Sequence, residues 1–180
     1  MMDQSINLPF FRYHPDPLFT GSIIQSNTKC SACGQSRGYI YTSTVYSSHN
    51  LEDEICPWCI ADGSAAQKFK ATFCDDLPLI EAGIDAAIIQ EVTTRTPGYD
   101  SWQQDVWLTH CNDACAFLGD ASKEDVLSIA NNGSQVAGVE WIDQETMRGI
   151  AQNYRPKGSP ASYKFKCLHC GQILYGMDFD

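Results

Sequence analysis

The phrase Lys29-Cys30-Ser31-Ala32-Cys33-Gly34-Gln35 returns near the other end of the chain as Lys166-Cys167-Leu168-His169-Cys170-Gly171-Gln172. Both copies read Lys-Cys-x-x-Cys-Gly-Gln, and no other stretch restricts the fold as much. Two thiolates two residues apart reach one tetrahedral metal ion, and the glycine supplies left-handed backbone for a sharp turn after the second ligand. Each copy runs into a β-like segment, Tyr39-Ile40-Tyr41 after the first and Ile173-Leu174-Tyr175 after the second. A knuckle leading into a strand is therefore expected twice. Each half-site needs two further ligands.

For the first knuckle they are in Cys56-Pro57-Trp58-Cys59, which completes the pattern C-x2-C-x22-C-x2-C. Cys30, Cys33, Cys56 and Cys59 are expected to hold a zinc ion. The competing reading makes Cys56 and Cys59 a thioredoxin-like redox pair at a helix start. That chemistry needs a free dithiol, whereas here another cysteine pair stands at zinc spacing. For the second knuckle the partners are Cys111 and Cys115, giving C-x3-C-x51-C-x2-C with Cys167 and Cys170. Spacing of i, i+4 puts the two thiols on one face if the stretch is helical. His110 and His169 are alternative ligands, since imidazole also suits zinc. The plainer reading packs Cys111 and Cys115 into the core. Cys74 is left over and is expected to be a small buried apolar residue.

Nine cysteines suit metal better than disulfides in a reducing compartment. The start Met1-Met2-Asp3-Gln4-Ser5 has neither the basic residues nor the apolar run of a secretion signal, and no apolar run approaches the ~18–20 residues of a membrane span. A cytosolic protein without membrane contact is expected. With 180 residues and 43% hydrophobic content the chain can bury a core, and one domain is expected, with knuckles at 29–62 and 109–172. Twelve basic against 22 acidic residues give a net charge of −10. Two zinc ions held by eight thiolates would take it to roughly −14. Such a field repels a phosphate backbone and attracts a basic partner.

Between the cysteines, prolines 9, 15 and 17 make residues 7–24 an extended aromatic arm, with His14 structural rather than catalytic. Residues 39–46 read as a strand or hairpin. Helices are expected after Asp62-Gly63-Ser64, over residues 84–93, after the Ser122 cap, and from Val139 to Tyr154. Tyr163 to Lys166 alternates as a strand. Hairpinned strands at both knuckles with several helices between them predict an α+β fold, small β-elements carrying packed helices.

Motifs beyond the cysteines carry a resemblance. Tyr13-His14-Pro15-Asp16-Pro17-Leu18, Thr20-Gly21-Ser22, Cys30-x-x-Cys33-Gly34-Gln35-x-Arg37-Gly38-Tyr39-x-Tyr41 and Cys56-Pro57-Trp58-Cys59-Ile60-Ala61-Asp62-Gly63-Ser64 resemble the bacterial CbrC family. So do Arg95-Thr96-Pro97-Gly98, Trp102-Gln103, His110-Cys111-x-Asp113, Phe117-Leu118-Gly119 and Cys167-Leu168-His169-Cys170-Gly171, so that the likeness spans nearly the whole chain. That family is associated with tolerance to colicins, which implies a cytosolic role in resisting an imported bacterial toxin.

Two functions follow as expectations. One is a binding protein that neutralises a basic toxin, such as a nuclease, with Glu52, Asp53, Glu54, Asp75 and Asp76 as candidate contacts. The alternative is a zinc-knuckle nucleic-acid binder, which would need Lys29, Arg37, Lys68, Lys70, Lys164 and Lys166 to gather on one face. An enzyme is not expected. A zinc deaminase wants His-x-Glu or Cys-x-Glu before Pro-Cys-x-x-Cys, whereas here the proline follows Cys56 and two residues separate His49 from Glu52.

Overall fold

A computed structural model describes residues 8–134 and 136–180. The Met1–Ser5 stretch, read above for a leader signal, lies outside the described residues. No helix in the described chain is long and apolar enough to cross a membrane.

The arm is packed on the body, as expected, and ends in a single helical turn, α1 (Pro17–Thr20). Pro17 sits at the first position, where its missing N–H is harmless, and the Asp16 carboxylate accepts from the Phe19 amide. Tyr13 and His14 are fully buried. His14 Nδ1 faces the Pro97 carbonyl at 2.8 Å and therefore carries the proton, leaving Nε2 to accept from the Thr20 hydroxyl at 2.8 Å. Burial lowers its pKa to about 4, so the ring is a neutral clip between two chain segments.

Strands β1 (Ile23–Gln25) and β2 (Tyr39–Tyr41) pair antiparallel around the first knuckle. The expected 39–46 strand is shorter than read. Beyond Tyr41 only an isolated bridge, Tyr46 to Thr72, continues it. Helices α2 (Pro57–Ala61) and α3 (Ser64–Phe69) follow, then α4 (Leu77–Glu81) and α5 (Ala86–Arg95). Pro78 lies in the first turn of α4, where no proline N–H is needed.

The short strands β3 (Thr109–His110) and β4 (Asp113–Ala114) form a two-residue hairpin. Next come β5 (Ala116–Asp120), α6 (Lys123–Asn132) and α7 (Gln144–Asn153), and then β6 (Ala161–Lys166) and β7 (Ile173–Asp178) around the second knuckle. The order β5-β6-β7 makes an antiparallel three-stranded sheet. Ser122 and Asp125 form a reciprocal capping box on α6. The helix expected from Val139 begins only after Asp143, whose carboxylate accepts from the Thr146 amide. An aspartate with that capping geometry ends the preceding irregular chain and leaves Trp141 outside, 75% exposed.

Helices and small antiparallel sheets are mixed along the chain, consistent with α+β. Three apolar clusters hold them. One surrounds the first knuckle (Phe11, Ile40, Ile55, Ile60), and one joins α6 to α7 (Val126, Ile129, Met147, Tyr154). The third is central, with Tyr99 stacked on Phe117 at 4.3 Å and ringed by Trp107, Tyr163 and Phe165. Cys74 is buried there, its thiol directed at the Val92 carbonyl, as expected for an apolar filler.

Gly98 is fixed by close approach. A Cβ there would lie 1.8 Å from the Phe73 carbonyl oxygen and 2.9 Å from the Tyr41 hydroxyl. Gly98→Ala must push backbone aside and is expected to cost at least about 3 kcal/mol. A urea midpoint unchanged from the parent would refute that packing.

Candidate metal centres

The repeated phrase has one physical explanation at both ends. In the first copy the Cys30 amide donates to the Gln35 carbonyl at 2.9 Å and the Gly34 amide to the Cys30 carbonyl at 2.7 Å. In the second, Cys167 donates to Gln172 at 2.8 Å and Gly171 to Cys167 at 3.1 Å. Gly34 and Gly171 have φ of +71° and +76°, the left-handed region that a side chain would strain. The lysine before each first cysteine lays its stem over the glycine, Cε of Lys29 and of Lys166 each 3.9 Å from the absent Cβ. Lysine, cysteine, glycine and glutamine positions thus close the same loop twice.

In the first centre the four ligand atoms of Cys30, Cys33, Cys56 and Cys59 lie within 4.8 Å of one another, all four where the sequence placed them. Cys56 caps α2, and Pro57 sets its first turn, so Cys59 comes back to the same side one turn later. The helix N-terminus favours negative sulfur. The Cys56 amide donates to the Cys30 sulfur at 3.3 Å. A hydrogen bond from the Cys56 thiol lowers Cys30 to about 4, against the burial that would raise it, with knuckle amides helping. Cys56 rises in turn because it keeps the shared proton. Lys68 on α3 donates to the Ser31 and Ala32 carbonyls at 2.7 and 3.0 Å, bracing the knuckle. Cys30, Cys56 and Cys59 are no more than 2% exposed.

The second centre departs from the expected set. The ligand atoms that gather within 4.8 Å are those of His110, Cys111, Cys167 and Cys170. Cys115 is not among them, because the stretch is a hairpin and not a helix. Cys111 and Asn112 occupy the two turn positions with φ of +53° and +56°, the geometry of a tight type I′ turn. Helical spacing therefore never applies, and Cys115 passes beyond β4 into the central core, fully buried. Its amide donates to Leu108 at 2.9 Å and its carbonyl accepts from the Trp107 indole at 2.9 Å. Burial, with the nearby Cys167 and Asp113 charges, pushes its thiol up to about 12. His110 takes the fourth place, its Nδ1 3.2 Å from the Cys111 sulfur and 3.5 Å from that of Cys170. Asn112, a residue that tolerates left-handed backbone, was the signal for a turn there.

His169 is engaged elsewhere. Its Nε2 pairs with Asp113 at 2.8 Å, and the same buried carboxylate receives Arg12 at 2.7 Å, the Tyr13 hydroxyl at 2.8 Å and the Ala114 amide at 2.8 Å. Burial alone would raise Asp113, but the Tyr13 and His169 hydrogen bonds and the Arg12 charge outweigh it and hold the carboxyl below its usual range. Asp113 thereby ties the aromatic arm to both halves of the second centre. Here Cys111 and Cys170 are exposed and His110 half-buried, unlike the enclosed first centre. Both clusters have the donor chemistry and spacing to hold a metal ion, and all nine cysteines are free of disulfides.

Known proteins match nearly the whole chain. A UPF0167 protein of Pseudomonas aeruginosa is 51% identical over 175 residues, covering 96% of this chain and 97% of the relative. UPF0167 proteins of Mycobacterium bovis and Mycobacterium tuberculosis are each 42% identical over 176 residues, covering 96% of this chain and 94% of theirs. No solved structure matches the chain. The model of the uncharacterised protein family UPF0167 matches residues 8–179, both centres included, and the chain belongs to that family.

Proposed function

We propose that this chain is a zinc protein of the CbrC type, with two structural sites, that acts by binding a basic protein such as an imported bacterial toxin. The observation that carries the metal assignment is the donor geometry. A tetrahedral zinc with about 2.3 Å arms to sulfur has S–S edges of about 3.8 Å, and with one imidazole nitrogen at about 2.1 Å the N–S edge is about 3.6 Å. Cys33 and Cys56 stand 3.9 Å apart, and His110 lies 3.2 and 3.5 Å from its two sulfurs. Four protein ligands at each ion leave no open position for a reacting water, which favours a structural over a catalytic role.

Seven thiolates and one imidazole on two zinc ions would bring the formal charge of −10 to roughly −13. That charge supports a basic protein partner, in the cytoplasm as the resemblance implies. Of the acids first considered, Glu54 accepts from the Ser31 hydroxyl and Asp75 from the Leu77 amide and Gln104, leaving Glu52, Asp53 and Asp76 exposed. The nucleic-acid reading draws less support. Lys68 is committed to the knuckle carbonyls, Lys164 pairs with Asp125 at 2.9 Å, and Arg37 lies over the Trp58 ring at 5.4 Å.

The test is titration of the zinc-loaded protein with a basic nuclease-toxin domain and, separately, with duplex DNA. The expected result is a toxin complex whose affinity falls at least tenfold between 50 and 200 mM salt, roughly the range for steered, charge-complementary pairs. Glu52→Lys with Asp76→Lys should weaken it further. Binding of DNA alone would replace the proposal with the nucleic-acid reading.

A further inference from the structure

Away from both metal centres, a cavity of about 320 Å³ opens at the edge of the central core. Its walls come from the α1–β1 junction, the loop at residues 99–102, β5, and the loop entering β6. These are the Thr20-Gly21-Ser22, Trp102 and Phe117 motifs that the cysteines leave without a role. The volume is at the lower end of the range for small-ligand pockets.

The walls are held in place. The Trp102 indole N–H donates to the Gly158 carbonyl at 2.9 Å, locking one loop to the other. The Trp102 amide donates to one oxygen of Asp178 at 2.9 Å, and the Tyr163 hydroxyl to the other at 3.0 Å. A site built this way loses little freedom when it is filled.

Its chemistry is one-sided. Asp100, Asp120 and Lys157 all line the cavity. Among the described residues the ion pairs closer than 4.0 Å are Arg12–Asp113, Lys164–Asp125 and His169–Asp113, so neither cavity carboxylate has a partner at that distance. Lys157 reaches instead toward Gly21, its Nζ 3.8 Å from where a Cβ would stand. Burial raises the pKa of both carboxyls, and the Lys157 charge only partly offsets it. The lining therefore carries two carboxylates against one lysine, beside the half-exposed Trp102. An anion would meet two carboxylates. A hard metal ion wants several closely spaced charged donors, and among the described residues groups of three or more such donors gather at the two cysteine centres and not here. An organic cation fits both features, since aromatic faces attract it as carboxylates do.

We propose that this cavity binds an alkylguanidinium or alkylammonium group, its charge at Asp100 and Asp120 and its alkyl chain against Trp102. The proposal does not depend on the metal centres or on the toxin partner. The same chemistry comes from a free amine or from an arginine side chain of another protein.

The test uses the full-length metal-loaded protein and calorimetric titration with butylguanidinium, its neutral isostere butylurea, and N-acetylarginine methylamide. Butylguanidinium is expected to bind saturably and at least tenfold tighter than butylurea. Asp100→Asn and Asp120→Asn should each weaken it at least fivefold at unchanged melting temperature. Lys157→Ala removes the competing cation and is expected to tighten binding several-fold, a gain that misfolding cannot mimic. Tighter binding of the arginine derivative would assign the site to a partner's side chain, and tighter binding of butylguanidinium to a free alkylguanidine. Equal affinity for butylurea, no saturable binding, or weakening by Lys157→Ala would overturn the proposal.

Discussion

Cys56→Ser is expected to abolish the cooperative thermal transition of the half of the chain that carries the first knuckle. The reason is the position of the centre, which is the middle of a core. Cys30, Cys56 and Cys59 are 1%, 0% and 2% exposed and pack with Phe11, Ile40, Ile55 and Ile60. The elements around them are too short to stand alone: two three-residue strands and helices of five and six residues. Short helices and lone hairpins are marginal in water, so on the zinc proposal the ion would supply most of the organisation. Structural zinc contributes about 10–16 kcal/mol in small domains, as much as the whole stability of a typical protein. Losing one sulfur leaves Cys30 and Cys59 buried, and Cys33 half-buried, without the fourth ligand that would complete their ion's shell. Circular dichroism melting of the variant, with and without added zinc, reads the effect. A transition within a few degrees of the parent would mean that the four sulfurs are ordinary core.

The difference between what could and could not be read from sequence has a physical pattern. The first centre was legible because its ligands lie in two Cys-x-x-Cys pairs whose geometry is set locally, by a knuckle turn and a helix start. The second knuckle was legible for the same reason. Its other half was legible in part: Cys111 was placed and His110 stood as an alternative ligand, but Cys115 was preferred, because Cys111 and Cys115 share a face only in a helix and the chain there is a strand pair. Two adjacent left-handed residues at the turn tip decide the outcome, and one of them is a cysteine, which pays a strain of about 1–2 kcal/mol for that conformation. Asn112, in the turn, was a hairpin signal that the i, i+4 spacing argument left unread. The late start of α7 has a similar cause: the apolar residues Val139, Trp141 and Ile142 imitate a helical stripe, while the Asp143 cap fixes the boundary. The cavity carrying Asp100 and Asp120 was beyond any local reading, since its walls come from four segments spread over about 140 residues.

The two centres should also part company when metal is withdrawn. At the second, Cys111 and Cys170 are exposed, so a chelator can reach two of the four ligands in the folded state. The surrounding structure does not depend on the ion to the same degree. β6 and β7 are paired over six residues and joined to β5, and the Asp113 network with Arg12, Tyr13 and His169 holds the β3–β4 hairpin from the other side. A moderate excess of chelator is therefore expected to take one zinc within minutes under native conditions, with the far-ultraviolet spectrum unchanged. The second zinc should leave only as the protein unfolds, because its ligands become accessible only then. Time-resolved native mass spectrometry gives the stoichiometry, and alkylation of the single-zinc species identifies the freed thiols. Cys111, Cys167 and Cys170 should be modified while Cys30, Cys33, Cys56 and Cys59 stay protected. Cys111→Ser should bind one zinc and melt within a few degrees of the parent, in contrast to Cys56→Ser. Simultaneous loss of both ions, or alkylation starting at the first centre, would show that exposure of the second does not govern its exchange.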